Sequence, residues 1–160
     1  MQSKARGRKR SAGLLAYRRR AGLVEVFLVH PGGPFWRGKD EGAWSIPKGE
    51  CSDDEAGMDA AAREFREETG FDVGAGPFIP LGTVRQPGGK LVEAWAVEFD
   101  LDERELVSNS FMIEWPPGSG MQRRFPEVDR GAWFSLKDAN AKLLKGQLRL
   151  LDHFGKAVPA

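Results

Sequence analysis

Short apolar runs, rather than long ones, set the rhythm of this chain. Residues 11–17 and 24–30 read as strands, the second the stronger because Val24, Val26, Phe27, Leu28 and Val29 are all apolar and mostly β-branched or aromatic. Arg20-Ala21-Gly22 between them predicts a turn, so the pair is a hairpin. The stretch His30-Pro31-Gly32-Gly33-Pro34-Phe35-Trp36 predicts a loop, since two prolines and two glycines interrupt a ladder. A short strand is expected at 44–46 and a helix from about Asp53 to Thr69. Ser52 and Glu55 stand at reciprocal capping spacing, and Gly70 supplies the left-handed stop. Further strands are expected at 78–86, 91–101, 109–115 and 132–135, with a turn at Pro87-Gly88-Gly89. A helix over 136–144 breaks at Gly146 and resumes over 148–154. Strands and helices intermix without any internal repeat, which predicts a sandwich of the α/β or α+β kind.

A chain of 160 residues with 41% hydrophobic and 29% charged positions has the size and balance of one domain with an unaided core. Its single cysteine, Cys51, precludes an intrachain disulfide and a Cys-rich zinc site, so the expected setting is the reducing cytoplasm. No apolar run approaches the roughly 18 residues of a membrane span, and neither membrane association nor export is expected. Net charge is +1, but residues 1–20 carry eight basic side chains and no acidic one, leaving −7 on the rest. Residues 1–10 therefore read as a basic, solvated and disordered tail. The other use of such a tail is a weak electrostatic contact with RNA.

The densest chemistry lies in the first helix. Glu64, Glu67 and Glu68 are spaced i, i+3, i+4, which places three carboxylates on one face within about a turn. Like charges so placed repel, and either cations or a bound metal must offset them. Oxygen-only ligands select a hard ion, Mg²⁺ or Mn²⁺, of the kind that bridges carboxylates to phosphates. A helix surface paired with Arg63 and Arg66 would account for the same charges, and the flanking residues decide between the two. From Gly49 the chain runs Gly, five residues, Glu55, seven residues, Arg63-Glu64, apolar Phe65, Arg66, Glu67-Glu68, Thr69, Gly70, apolar Phe71. This resembles the Nudix box, G-x5-E-x7-R-E-U-x-E-E-x-G-U, at all nine specified positions. A chance match is on the order of 10⁻¹⁰. Phe65 is bulkier than the aliphatic residue usual at its position.

The resemblance implies a Nudix-type α/β/α sandwich with a central mixed β-sheet, a single domain over residues 11–156, and a metal-dependent hydrolase of diphosphate linkages. It assigns metal binding to Glu64, Glu67, Glu68 and the backbone carbonyl of Lys48, and a bracing role to Arg63 with Glu55, supported by Gly49 and Gly70 at the ends of the motif. The general base varies in this family. Glu64 is one candidate, and Glu127, in the loop Phe125-Pro126-Glu127-Val128, is the other.

The lead-in Trp44-Ser45-Ile46-Pro47-Lys48-Gly49 resembles the W-x-x-P-K-G of the dinucleoside polyphosphate branch, so a dinucleoside polyphosphate or nucleoside triphosphate is the expected substrate. Lys48 is a candidate phosphate contact, and Phe35 and Trp36 are candidates to stack on a base. Trp95, Phe99, Trp115 and Trp133 belong to the core or to pocket walls. His30, His153 and Cys51 are given structural rather than catalytic roles. Two other functions fit the sequence, an RNA 5′-end pyrophosphohydrolase and a catalytically silent nucleotide-binding regulator, as do a monomer and a homodimer.

Overall fold

The computed structural model describes residues 10–159, so residues 1–9 of the expected basic tail lie outside the described residues. In chain order the strands are β1 (Arg10–Arg20), β2 (Leu23–Pro31) and β3 (Lys48–Glu50). Helix α1 (Gly57–Thr69) follows, then β4 (Phe78–Arg85), β5 (Leu91–Glu98), β6 (Ser110–Glu114), β7 (Gln122–Pro126) and β8 (Val128–Ser135). The chain closes with α2 (Leu136–Lys142) and α3 (Leu148–Ala157). The main sheet has six strands in the order β4-β5-β1-β2-β8, with β3 pairing the first part of β1. β1 and β5 are parallel, and every other pairing in it is antiparallel, which makes the sheet mixed as expected. β6 and β7 form a separate two-stranded hairpin.

Period-two alternation along β1 explains the three layers. Ala12, Leu14 and Ala16 point to the face covered by α1, where they pack with Phe27, Ala60, Ala61 and Phe65. Leu15 and Tyr17 point to the opposite face and meet Leu143, Leu150 and Phe154 from α3 and the segment before it. Phe65 is fully buried and lies 6.3 Å from Phe27 and 6.4 Å from Phe99, ring centre to centre. The bulk that sets Phe65 apart from an aliphatic residue is thus core volume, and burial of the whole side chain is worth about 1.5–3 kcal/mol.

Several sequence expectations shift. The helix starts at Gly57, not near Asp53, and its first turn has no side-chain cap. The reciprocal cap does not form because the Glu55 carboxylate binds Arg63, while the Glu55 N–H donates to the Ser52 carbonyl in a turn. Residues 44–46 make only isolated bridges, Ser45 to Val29 and Trp44 to Leu143. β2 continues to Pro31 across a bulge after His30, the irregularity at which a strand admits proline. Arg10, grouped with the tail, opens β1 opposite Leu91. At the other end Val158 is buried beyond α3. β3 and β7 have no clear sequence signature: Lys48–Glu50 is too short, and Gln122–Pro126 lacks alternation. Among the described residues, no helix is long and apolar enough to cross a membrane.

Candidate active site

Helix α1 packs its apolar stripe on β1 and thereby presents the opposite edge of that stripe, with its glutamates, to β3. Gly70, at φ 83°, ends the helix and donates its N–H to the Arg66 carbonyl. Gly49 lies where a side chain has no room: a Cβ built there would stand 2.0 Å from the Glu64 carboxyl carbon. Its requirement is close approach, not an unusual backbone angle. The Glu64 carboxylate rests against the bare main chain of β3, while Glu68 accepts the Lys48 N–H at 2.7 Å through Oε2.

Arg63 is the hub of the cluster. Nε and Nη2 grip both oxygens of Glu55 at 2.8 and 3.0 Å. Nη1 donates to Glu64 at 2.9 Å and to both oxygens of Glu67 at 3.2 Å, and Nη2 also donates to the Glu50 carbonyl at 3.0 Å. The planar fork suits this two-sided grip. It ties the loop before α1 to the helix, and holds the Glu55 carboxyl below its ordinary pKa. One arginine does not neutralise the whole set. Burial raises the Glu64 pKa, opposed by Arg63 and reinforced by Glu67 and Glu127. Burial likewise pushes Glu68 up to about 8, despite the Lys48 N–H and ammonium. The Lys48 ammonium is lowered in turn, first by burial and then by the charge of Lys90. No motif singled out Lys90; its proximity follows from β5 lying parallel to β1.

Glu127, some sixty residues further along the chain than α1, is brought within electrostatic range of Glu64, Glu68 and Lys48. A chain of backbone bonds puts it there. Val107 N–H donates to the Thr69 carbonyl at 3.0 Å and Asn109 N–H to the Glu67 carbonyl at 2.9 Å, fastening the base of the β6–β7 hairpin to the end of α1. Glu127 N–H then donates to Asn109 O at 2.8 Å, and Gly32 N–H to Glu127 O at 2.9 Å. The Glu127 side chain is exposed and forms no hydrogen bond or ion pair among the described residues.

Phe35 and Trp36 lie outside both core clusters. Phe35 is 58% exposed and meets Trp115 edge-on, with ring centres 5.5 Å apart. Trp36 is half-buried under the Lys39 ammonium. Trp95, Phe99 and Trp133 pack against the α1-side core. His30 is buried and bridges Asp129, at 2.9 Å, to the Lys39 carbonyl, at 2.7 Å. It ties the loop after β2 to the strand after Glu127, a link that an isolated histidine in a sequence does not reveal. Cys51 is half-buried, with its Sγ against the Ser52 and Glu55 carbonyls.

The donor chemistry fits a hard divalent cation. Its glutamates supply only oxygen, and the upward shifts of Glu64 and Glu68 are what an added positive charge would reverse. Among the described residues no three acidic, histidine or cysteine side chains converge into a ready cage. The carboxylates are turned onto Arg63 and the Lys48 amide instead.

The site is thus a braced glutamate helix set against the bare main chain of β3 on a mixed sheet between helices. A family model described as the NUDIX domain matches residues 7–154, and the chain belongs to the Nudix family, whose members generally use divalent metal ions; it is a pyrophosphohydrolase of that family. Among solved structures it is similar to a Caenorhabditis elegans Ap4A hydrolase in a binary complex, with a TM-score of 0.65 at 23% identity, over 91% of this chain and 96% of that one. The NUDIX domain of Shewanella oneidensis NrtR complexed with ADP ribose matches with a TM-score of 0.63 at 17% identity, over 94% and 88%. The Escherichia coli ORF135 protein matches with a TM-score of 0.54 at 22% identity, over 92% and 89%. At these identities the likeness is one of fold.

Proposed function

We propose that the chain hydrolyses the phosphate chain of a dinucleoside polyphosphate or nucleoside triphosphate in the cytoplasm, using Mg²⁺ or Mn²⁺ held by Glu64, Glu67, Glu68 and the Lys48 carbonyl. The observation that carries this reading is the assembly of two groups distant in sequence. The Glu64–Glu68 face and Glu127 share one electrostatic neighbourhood with two lysines, Lys48 and Lys90. Carboxylates to hold a cation and ammonium groups to hold an anion stand side by side, which suits a phosphate chain neutralised from both directions.

The bound metal supplies neutralisation of developing charge and a lowered pKa for the attacking water. The protein's own residues orient and move protons. Arg63 limits how far Glu64 and Glu67 splay. Glu127 accepts the proton of the attacking water, a role that favours it over Glu64 because the Glu64 carboxylate is engaged by Arg63 while that of Glu127 is free of partners among the described residues. Lys48 and Lys90 steady the phosphates, and Phe35 and Trp36 border the base.

The test is a product-release assay over diadenosine polyphosphates, nucleoside triphosphates, sugar nucleotides and 5′-triphosphorylated RNA, each with Mg²⁺ and with Mn²⁺. Release of a mononucleotide from the first two groups is expected. Turnover confined to the RNA, and lost on deleting residues 1–9, would move the assignment to the RNA 5′ end. Metal-independent binding of nucleotide without any cleavage would make the chain a regulator.

A further inference from the structure

One face of the β6–β7 hairpin is only half-buried, covered in part by the loop after β2. Cross-strand partners share a face, so the register Phe111–Phe125 and Ile113–Arg123 places Phe111, Ile113, Arg123 and Phe125 together, with Trp115 two residues further along the same side. The loop after β2 runs beside this face. Gly33 sits beneath Phe111, whose ring would lie 3.0 Å from a Cβ built there, and Phe35 reaches Trp115. The result is an aromatic wall ending in an edge-to-face pair, with Phe35 58% exposed and Trp115 half-buried. Along the wall stands Arg123, exposed and without an ion pair or hydrogen bond among the described residues. Arg124, by contrast, points to the other side and donates to Ser110 Oγ.

We infer that this wall is a second-nucleoside subsite, with Phe35 and Trp115 stacking on the far base of a dinucleoside polyphosphate and Arg123 holding its phosphate chain. The inference deepens the reading above and rests on it. Three observations support that occupant. First, the hairpin is continuous with the site: its base is bonded to the carbonyls of Thr69 and Glu67 in the glutamate helix, and its last strand leads directly into Glu127. Second, the wall extends away from that base. Trp115 pairs with Met121, six residues from Glu127, so at about 3.3 Å per residue the aromatic pair lies up to about 20 Å out along the strand. A phosphate chain leaving the glutamate face along this strand would carry its second nucleoside toward that pair. Third, the chemistry is graded along the strand in the order such a ligand needs: a carboxylate face, then a guanidinium without a partner among the described residues, then the partly exposed Phe35–Trp115 pair.

The test compares diadenosine tetraphosphate with ATP as substrates of the full chain and of Phe35→Ala, Trp115→Ala, Trp115→Phe and Arg123→Gln, with parallel titration of a methylene-bridged, uncleavable diadenosine tetraphosphate. Stacking on one base predicts that Trp115→Ala raises KM for the dinucleotide about tenfold with kcat held, leaves ATP unchanged and is largely rescued in Trp115→Phe, and that Phe35→Ala raises the KM for the dinucleotide as well. Arg123→Gln should raise the same KM and flatten its salt dependence. Unchanged dinucleotide KM in all variants overturns the subsite while leaving the hydrolase standing. An equal loss on ATP in Trp115→Ala overturns it as well, since the wall would then serve the fold or the near nucleotide. If the unaltered chain cleaves neither substrate, the hydrolase reading fails, and the titration alone decides: tighter binding to the unaltered chain than to Trp115→Ala supports the subsite, and equal binding overturns it.

Discussion

Helix α1 and the β6–β7 hairpin contribute to one site by opposite routes. The helix is self-sufficient in sequence: its glutamates, their arginine brace, and the glycines at either end fall within residues 49–70, and helical periodicity alone puts them on one face. The hairpin has no comparable motif. It contributes Glu127 because backbone bonds fasten residues 107 and 109 to the last turn of α1 and Glu127 in turn to Asn109 and Gly32. A local motif tolerates change elsewhere in the fold, whereas a residue placed by tertiary bonds depends on each of them. The contrast predicts that variants of the helix act on metal affinity and turnover together, and variants of the hairpin on turnover or substrate choice alone.

The largest effect should come from the helix. Glu68→Gln and Glu64→Gln are each expected to lower kcat/KM by about 10³-fold, the scale of losing several kcal/mol of metal-borne charge stabilisation, with weaker Mg²⁺ binding by calorimetry. Glu127→Gln should lower kcat by about 10²-fold or more while leaving Mg²⁺ affinity unchanged. Near-normal turnover at saturating Mg²⁺ would remove Glu127 from the mechanism and erase the contrast. Arg63→Lys keeps the charge but loses the fork, and should cost about 10- to 100-fold in metal affinity or activity, as the loss of a ligand-orienting partner does. Gly49→Ala should fall in the same range with the fold retained, because the new methyl displaces the Glu64 carboxylate rather than straining the backbone.

The smallest and most diagnostic effect is in pH. Glu68, raised to about 8, holds a proton at neutral pH that metal must displace. Mg²⁺ affinity should therefore rise with pH and level off above about 8, and the rise should flatten in Glu68→Gln. The sign for stability is the reverse: the metal-free folded state binds that proton more tightly than the unfolded chain, so its stability falls as pH rises from the ordinary carboxylate range to about 8. A pH-independent Mg²⁺ affinity between 6 and 8 would detach Glu68 from the metal.

The sequence by itself determined the features that depend on local spacing. The β1–β2 hairpin, the α1 face and its stop at Gly70 are each written within a few residues of the feature they specify, whereas the break expected at Gly146 falls earlier, after Lys142. Only the tertiary structure decided what depends on competition between partners or on contacts between distant segments. Ser52 and Glu55 had the spacing of a cap, but Arg63 offers Glu55 two charged hydrogen bonds where the helix end offers one neutral N–H, and the ion pair prevails. Gly49 stood in the sequence only as a motif position, and the structure makes it the bare floor under Glu64. Lys90, His30 and the Trp115 wall join the site through sheet order, a buried bridge and a hairpin register, and none of these is a property of neighbouring residues.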